Sequence, residues 1–301
     1  MTIFEHELRN GILVQGLTGS IGRVQVDQMI EYGTRVVGGV TPGRGGESVD
    51  GIPVFDTVAQ AVEATGARAS IAFLPPRFAV SGIVEAAEAG IELLVCPTEG
   101  IPLQDATRAI QVSNQYRMRL IGPNTSGFVI PGVLKMGFMP TDFVRPGRCA
   151  VLSRSGTLSY EVVNALNAAQ IGVSVWIGVG GDRVKGTTFA EILPTVIDDA
   201  TTDAVVVIGE IGGNDEEKAA ELLSQSVLPA MALFAGRTAP TGVSMGHAGA
   251  IISGNHGSYA SKVEAMTSAG IPVATHPDEV AAWAISVLGT NTAQTKIEVV
   301  S

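Results

Sequence analysis

The chain alternates short, β-branched apolar runs with stretches whose apolar residues recur at helical spacing. Ile12-Gln15, Arg35-Val40, Ala69-Leu74 and Glu92-Cys96 are short and nearly continuous, and read as buried strands. Amphipathic stretches such as Val58-Ala64 and Ser81-Ala89 separate them, and a helix is expected over about Arg23 to Tyr32. Strand, helix and strand in this rhythm predict a parallel sheet covered by helices. After Leu120-Gly122 the pattern breaks into a Gly/Pro-rich passage, Pro123 to Gly147, which predicts a domain boundary. A second series follows, with strands at Arg148-Leu152, Val173-Val179, Ala204-Gly209 and Ala230-Phe234 and helices at Leu158-Ala169, Asp215-Gln225 and Tyr259-Ala269. It predicts another doubly wound α/β domain. The expected division is a first domain over 1–127, a second over 147–289 and a polar tail over 290–301 that lacks a helical stop signal.

Composition narrows the classes of function. A length of 301 residues suits two domains. Charged residues make up only 16%, against about 25% in average soluble chains. With a mean hydropathy of +0.31, that leaves little polar surface, as large buried parallel sheets or a partner interface would. The formal net charge of −10 disfavours nonspecific attraction to nucleic acid or an anionic membrane. Cys96 and Cys149 fall in strand-like segments outside any metal-ligand spacing, so neither a disulfide framework nor a metal site is expected. That suits a reducing, cytoplasmic setting. Met1 to Asn10 has no hydrophobic core of a leader, and no run reaches the ~18 apolar residues of a spanning helix, so a soluble, unprocessed chain is expected.

Two glycine-rich places carry candidate chemistry. The first strand runs into Gly16-Leu17-Thr18-Gly19-Ser20-Ile21-Gly22 and then a helix, a context in which bare backbone and a helix N-terminus receive phosphate oxygens. The spacing is not that of the dinucleotide fingerprint. The second strand ends in Thr41-Pro42-Gly43-Arg44-Gly45-Gly46, with a base where an NAD site needs an acid, so NADP and coenzyme A both fit Arg44. In the second half, Gly246-His247-Ala248-Gly249 leaves an imidazole almost unshielded, and Ile208-Gly209-Glu210-Ile211-Gly212-Gly213 puts an acid at a strand end. A histidine whose tautomer is set by Glu210 is a nucleophile able to accept and pass on a phosphoryl group. A loop histidine that merely caps a helix is the plainer alternative. Ser155-Gly156-Thr157, between a strand and a helix, suits either a phosphoryl cradle or an ordinary N-cap.

Taken together, these motifs and their order resemble the α subunits of succinate-CoA ligase (succinyl-CoA synthetase) and its nucleoside-diphosphate-forming relatives. The resemblance runs from about Ile12 to Leu288. Its first half rests on Gly16-Leu17-Thr18-Gly19-Ser20, Gly39-Val40-Thr41-Pro42-Gly43, Thr98-Glu99-Gly100-Ile101-Pro102 and Ile121-Gly122-Pro123-Asn124. Its second half rests on Ser153-Arg154-Ser155-Gly156-Thr157-Leu158, the Glu210 motif and Met245-Gly246-His247-Ala248-Gly249-Ala250. The resemblance implies a Rossmann-like domain that binds coenzyme A, followed by a flavodoxin-like domain that carries a phosphohistidine. It implies that Thr18, Gly19, Ser20 and Ile21 line the coenzyme A phosphates, with Arg44 in place of the usual lysine, and that Pro97, Thr98 and Glu99 touch the same ligand. Tyr160 is implied near the acyl substrate, and His247, beside Glu210, is implied as the phosphorylated residue.

The implied reaction joins succinate and coenzyme A at the expense of ATP or GTP. That nucleotide, with Mg, belongs on a partner β subunit that carries the nucleotide-grasp domain, since no Gly-x-x-x-x-Gly-Lys-Ser/Thr loop occurs here. The chain departs from the family at Asn124-Thr125-Ser126-Gly127 and at Gly180-Gly181-Asp182-Arg183. Thr125, Ser126 and Arg183 therefore become candidate substrate residues, with malate or another carboxylic acid as the alternative to succinate. A nucleotide-sensing module without catalysis is the alternative of a different class. The remaining histidines, His6, His256 and His276, read as surface groups, and Trp176 and Trp283 as core or interface anchors.

Overall fold

A computed structural model describes residues 3–240, 242–252 and 257–289. The expected tail over 290–301 and His256 lie outside the described residues. In the first half the elements are α1 (Glu5–Leu8), β1 (Ile12–Gln15), α2 (Ser20–Glu31), β2 (Val36–Val40), β3 (Ser48–Val49), β4 (Ile52–Phe55), α3 (Val58–Thr65), β5 (Ala69–Ala72), α4 (Pro76–Glu88), β6 (Leu93–Val95), α5 (Leu103–Gln115) and β7 (Arg119–Ile121). Their sheet runs β3-β4-β2-β1-β5-β6-β7. Every pair in it is parallel except β3 with β4. Leaving out the antiparallel β3, the strands rank 3-2-1-4-5-6, the Rossmann order.

The second half comprises β8 (Gly127–Ile130), β9 (Leu134–Gly137), β10 (Pro146–Ser153), α6 (Gly156–Ala168), β11 (Val173–Gly178), α7 (Phe189–Ile197), β12 (Ala204–Glu210), α8 (Asp215–Leu223), β13 (Ala230–Ala235), α9 (Tyr259–Ser268), β14 (Val273–Ala274) and α10 (Pro277–Leu288). Its sheet runs β14-β13-β12-β10-β11-β8-β9. The five parallel strands have the flavodoxin-like order 2-1-3-4-5, and the β8–β9 hairpin adds an antiparallel edge. Both halves of the expected fold class are therefore present.

Burial explains why the strands read so clearly. Every residue of β11 and β12 is buried, so their sequences are apolar runs instead of alternating ones. One hydrophobic cluster contains Phe4, Val14 and Ile121 together with Phe128 and Ile177, so the two sheets share a core.

The departures have local causes. The Gly/Pro-rich passage is not only a linker, because Gly127–Ile130 and Leu134–Gly137 pair with each other and extend the second sheet well before Gly147. Gly127 and Gly137 face each other there with positive φ, and an added Cβ on either would strike the opposing backbone. Helix α4 starts at Pro76 instead of Ser81, because proline is tolerated in the first turn, where its missing N–H costs nothing. Helix α5 fully buries only the small residues Ala106, Ala109 and Ser113, with Ile110 and Val112 partly buried against the core. Helix α7 contains Pro194, yet begins with a full capping box between Thr188 and Glu191, a signal the sequence does carry.

Candidate functional site

The site of the second domain lies where its strand order reverses. Strands β10 and β12 are neighbours, paired from Cys149↔Ala204 to Ser153↔Ile208, and the loops leaving their C-terminal ends lie side by side. Glu210 is the last residue of β12. His247 sits on the loop after β13, whose backbone bonds to itself: Met245 N–H donates to Ala250 O at 2.9 Å and Ala250 N–H to His247 O at 3.0 Å. That loop is tied to the neighbouring one by Gly249 N–H donating to Gly181 O at 3.1 Å. The imidazole lies directly over Gly181, where an added Cβ would overlap the ring.

His247 and Glu210, read from separate motifs, meet. His247 Nδ1 is 2.7 Å from Glu210 Oε2, and the imidazole is 29% exposed while Glu210 is buried. The hydrogen bond to Glu210 pushes the imidazole pKa above its ordinary value, burial opposes the rise, the charges of Glu210 and Asp182 add to it, and Arg154 opposes it. With Nδ1 engaged, Nε2 is the nitrogen available for chemistry. Asp182 accepts from Asn124 Nδ2 at 2.9 Å, and its carboxyl is held above the usual range chiefly by burial.

Behind this pair is a charge cluster that no sequence motif reveals. Arg154, which follows β10, places Nη2 3.1 Å from Glu210 Oε1, an ion contact outside hydrogen-bond alignment. Its Nη1 donates to Gly212 O at 2.9 Å and to Glu216 Oε1 at 3.1 Å. Lys262 of α9 donates to Glu216 Oε2 at 2.5 Å, to Glu217 Oε2 at 3.0 Å and to Gly213 O at 3.2 Å. Arg154, Glu216 and Lys262 side chains are 2%, 0% and 0% exposed. Burial alone would raise the Glu216 carboxyl, but Arg154 and Lys262 outweigh it and hold the group below its ordinary value.

The strand-to-helix turn at Ser155-Gly156-Thr157 contains the expected N-cap. Ser155 is the N-cap of α6, its hydroxyl accepting from Leu158 N–H at 3.3 Å, and its own N–H donates to Ser153 Oγ at 3.0 Å. Helix geometry leaves the first-turn N–H groups of Gly156 and Thr157 without intrahelical partners. Ser126 and Tyr160 meet over this turn, since a Cβ placed on Gly156 would be 3.7 Å from both Ser126 Cβ and the Tyr160 hydroxyl. Tyr160 is half-buried, edge-on to Trp176 at 5.4 Å, and burial raises its hydroxyl pKa. Thr125 behaves differently. It is buried, its hydroxyl donates to Gly178 O and accepts from Gly127 N–H at 2.9 Å, so it shapes the turn and offers no free group. Arg183 is exposed beside Asp182.

In the first domain, the N-terminus of α2 presents Gly19, Ser20 and Ile21, all exposed, at the switch point between β1 and β5. Thr18 Oγ1 donates to Thr41 Oγ1 at 3.2 Å, tying this turn to the loop after β2. Arg44 on that loop is exposed and gripped by Glu47 through Nε and, at 2.6 Å, Nη2, a partner only three residues away that no motif marks. Thr98 donates its hydroxyl to Leu74 O at 2.7 Å, and its carbonyl accepts from Asn124 N–H at 2.9 Å. Thr98, Asn124 and Asp182 thus form a hydrogen-bonded chain between the two halves. A cleft of about 300 Å³ beside it is lined by Glu99, Asn124, Asp182, Arg183 and Gly246, so Glu99 and the loop of His247 face one opening, while Pro97 and Thr98 do not line it. A larger cleft of about 720 Å³, around Tyr116 to Arg119 and α7, contains none of these residues.

Comparison with known proteins identifies the family. The CoA binding domain family matches residues 9–100 and the CoA-ligase family matches residues 152–272. The chain is 45% identical over 280 residues to succinate-CoA ligase [ADP-forming] subunit alpha 2 of Archaeoglobus fulgidus, covering 93% of this chain and 98% of that one. It is also 45% identical over 280 residues to the corresponding α subunit of Aquifex aeolicus, covering 92% of each. Among solved structures it superposes on ATP citrate lyase from Methanothrix soehngenii, solved with citrate and coenzyme A, with a TM-score of 0.84 at 20% identity. That match covers 97% of this chain and 53% of the lyase, so the chain spans about half the length of that solved protein, and the likeness is one of fold. On sequence and architecture together, the chain belongs to the family of succinate-CoA ligase α subunits, which are acid-thiol ligases.

Proposed function

We propose that this chain binds coenzyme A on its first domain and carries the transferred phosphoryl group on His247, with a β subunit supplying the nucleotide-grasp domain, ATP and Mg. The observation that carries the reading is the 2.7 Å contact of His247 Nδ1 with the buried Glu210, which leaves Nε2 free in a partly open ring. With Nδ1–H donated to the carboxylate, the Nε2 lone pair attacks the terminal phosphorus of ATP. The Nε2–P bond forms as the bond to ADP breaks. The ring gains positive charge in this step, and Glu210, itself buried, faces that charge from the protein side of the ring.

A succinate carboxylate oxygen then takes the phosphoryl group, which restores the neutral imidazole and gives succinyl phosphate. The coenzyme A thiol displaces phosphate from it. The N–H groups of Gly156 and Thr157 suit a phosphoryl group in transit. Ser126 and Tyr160 suit the acyl end, Arg183 lies at the cleft rim, and Thr18 to Ile21 with Arg44 suit the phosphates of coenzyme A. ATP is chosen over GTP on the ADP-forming relatives. A cytoplasmic setting suits the two buried thiols, which burial pushes up to about 11 for Cys96 and about 12 for Cys149. Among the described residues no helix is long and apolar enough to cross a membrane.

The test is labelling. The chain, assembled with its β subunit and given ATP radiolabelled at the terminal phosphate, should acquire an acid-labile, base-stable label, and His247→Asn should lose both label and turnover while still binding coenzyme A. Substantial turnover in His247→Asn overturns the phosphohistidine. A parent complex without label leaves the nucleotide-sensing reading in its place.

A further inference from the structure

A carboxylate 2.7 Å from an imidazole has two opposed effects. It orients the ring, which helps a nucleophile, and it favours the protonated ring, which cannot attack. The structure contains a counterweight to the second effect. Oε2 of Glu210 faces His247, while Oε1 faces Arg154 at 3.1 Å. Arg154 is itself backed by Glu216, which Lys262 shares. The fully enclosed members of this group, Arg154, Lys262, Glu210 and Glu216, carry two charges of each sign, and Glu217, 24% exposed to solvent, is a further acid on the outer side of Lys262. We infer that Arg154 is a positioning residue for phosphoryl transfer: held by Glu216 and Lys262, it aims the Glu210 carboxylate at His247 and offsets part of its charge.

The inference rests on His247 being the phosphoryl acceptor. Its geometric support is that the same cations fix the turn that carries Glu210. Arg154 binds the carbonyl of Gly212, Lys262 binds that of Gly213, and Glu216 accepts the Glu210 N–H at 3.1 Å. The guanidinium also packs beneath the histidine loop, where a Cβ on Gly249 would stand 3.0 Å from Arg154 Nη2. The charged groups bearing on His247 are Glu210 at the end of β12, Asp182 after β11 and Arg154 after β10. Glu99, across the cleft, acts on Asp182. Of the groups facing the ring, Arg154 is the cation. Without it, the charge of Glu210 is most cheaply balanced by protonating the imidazole.

The experiment is a pH titration of the His247 ring by nuclear magnetic resonance in the full chain with isotope-labelled histidine, its signal assigned by loss in His247→Asn. Arg154→Met should raise the His247 midpoint by about one pH unit or more. Glu216→Gln, which removes the carboxylate competing for Arg154, should lower it. Opposite shifts distinguish electrostatic positioning from general loosening, which would return both variants toward the ordinary value. In the complex with the β subunit, the acid limb of the labelling rate should move in the same directions, with the KM for coenzyme A unchanged. An unmoved midpoint, or a shift of the wrong sign, in either variant that retains cooperative unfolding overturns the inference. The Arg154 variant decides, because loosening would lower its midpoint where the inference requires a rise; if Arg154→Met does not fold, Arg154→Gln takes its place. Correct shifts in a chain whose parent complex is never labelled would mean that the phosphohistidine reading fails while the electrostatic relation stands.

Discussion

Each half of the chain has an arginine beside a glutamate, and the two pairs are built in opposite ways. Arg44 and Glu47 lie on an exposed loop three residues apart and grip each other in open solvent. Arg154 and Glu210 come from adjacent strand ends, are buried, and are braced by Glu216 and Lys262. The exposed pair exchanges partners cheaply, because water and salt replace whatever it releases, and this suits a group that must let go of Glu47 to take a phosphate. The buried pair cannot separate without leaving an uncompensated charge, and this suits a group whose field must already be in place when phosphorus is transferred. On the proposed function, the first domain would capture its ligand with movable charge, and the second would stabilise charge development with fixed charge.

The comparison is most directly broken at Lys262. Lys262→Met removes a fully buried cation from between Glu216 and Glu217, and should cost ~3–5 kcal/mol of stability by chemical denaturation, the usual loss when one partner of a buried pair is deleted. A loss no larger than that of a surface pair would mean that the cluster is hydrated and the contrast false.

A smaller effect, on rate and not on fold, is expected from Glu210→Gln. The His247 pKa is raised above its ordinary value chiefly by the hydrogen bond to Glu210. The neutral nucleophile therefore appears only as pH rises through that elevated value, and labelling slows as pH falls through it. Glutamine removes the cause of the rise, so the acid limb should move to lower pH, while the plateau rate falls because an amide stabilises the developing positive ring less well. A limb that stays in place would remove Glu210 from control of the histidine.

The smallest structural consequence belongs to Arg44→Ala. It should leave the thermal midpoint unchanged and raise the KM for coenzyme A more than that for succinate. Glu47→Gln, which frees Arg44, should lower the KM for coenzyme A. Equal changes for both substrates would assign Arg44 to folding and not to the ligand.

Much of this fold and site is legible in the amino-acid sequence. Strands β11 and β12 announce themselves because burial on both faces favours nearly continuous apolar runs. The loops that hold the chemistry show as glycine turns after strands, and Glu210 pairs with His247 on chemical grounds alone. Other features lack a local signal. Thr125 reads as a substrate group because a hydroxyl in sequence does not show whether it is already bonded, and here the backbone of Gly178 and Gly127 uses it. The hairpin of β8 and β9 hides in a glycine- and proline-rich passage because its stability comes from the edge of β11, far along the chain.

The sequence by itself determined the alternation of strands and helices in each half, the two doubly wound domains and the family, because periodicity and turn chemistry are written within a few residues. Only the tertiary structure decided which charges meet. Lys262 sits in a helix whose pattern suggests a solvated cation, yet it is fully buried against acids some 45 residues away. Arg154 joins it through Glu216 because parallel strands bring distant loops to one end of the sheet. Charge balance in a core depends on three-dimensional proximity and local dielectric, and neither has a period that a linear sequence can display.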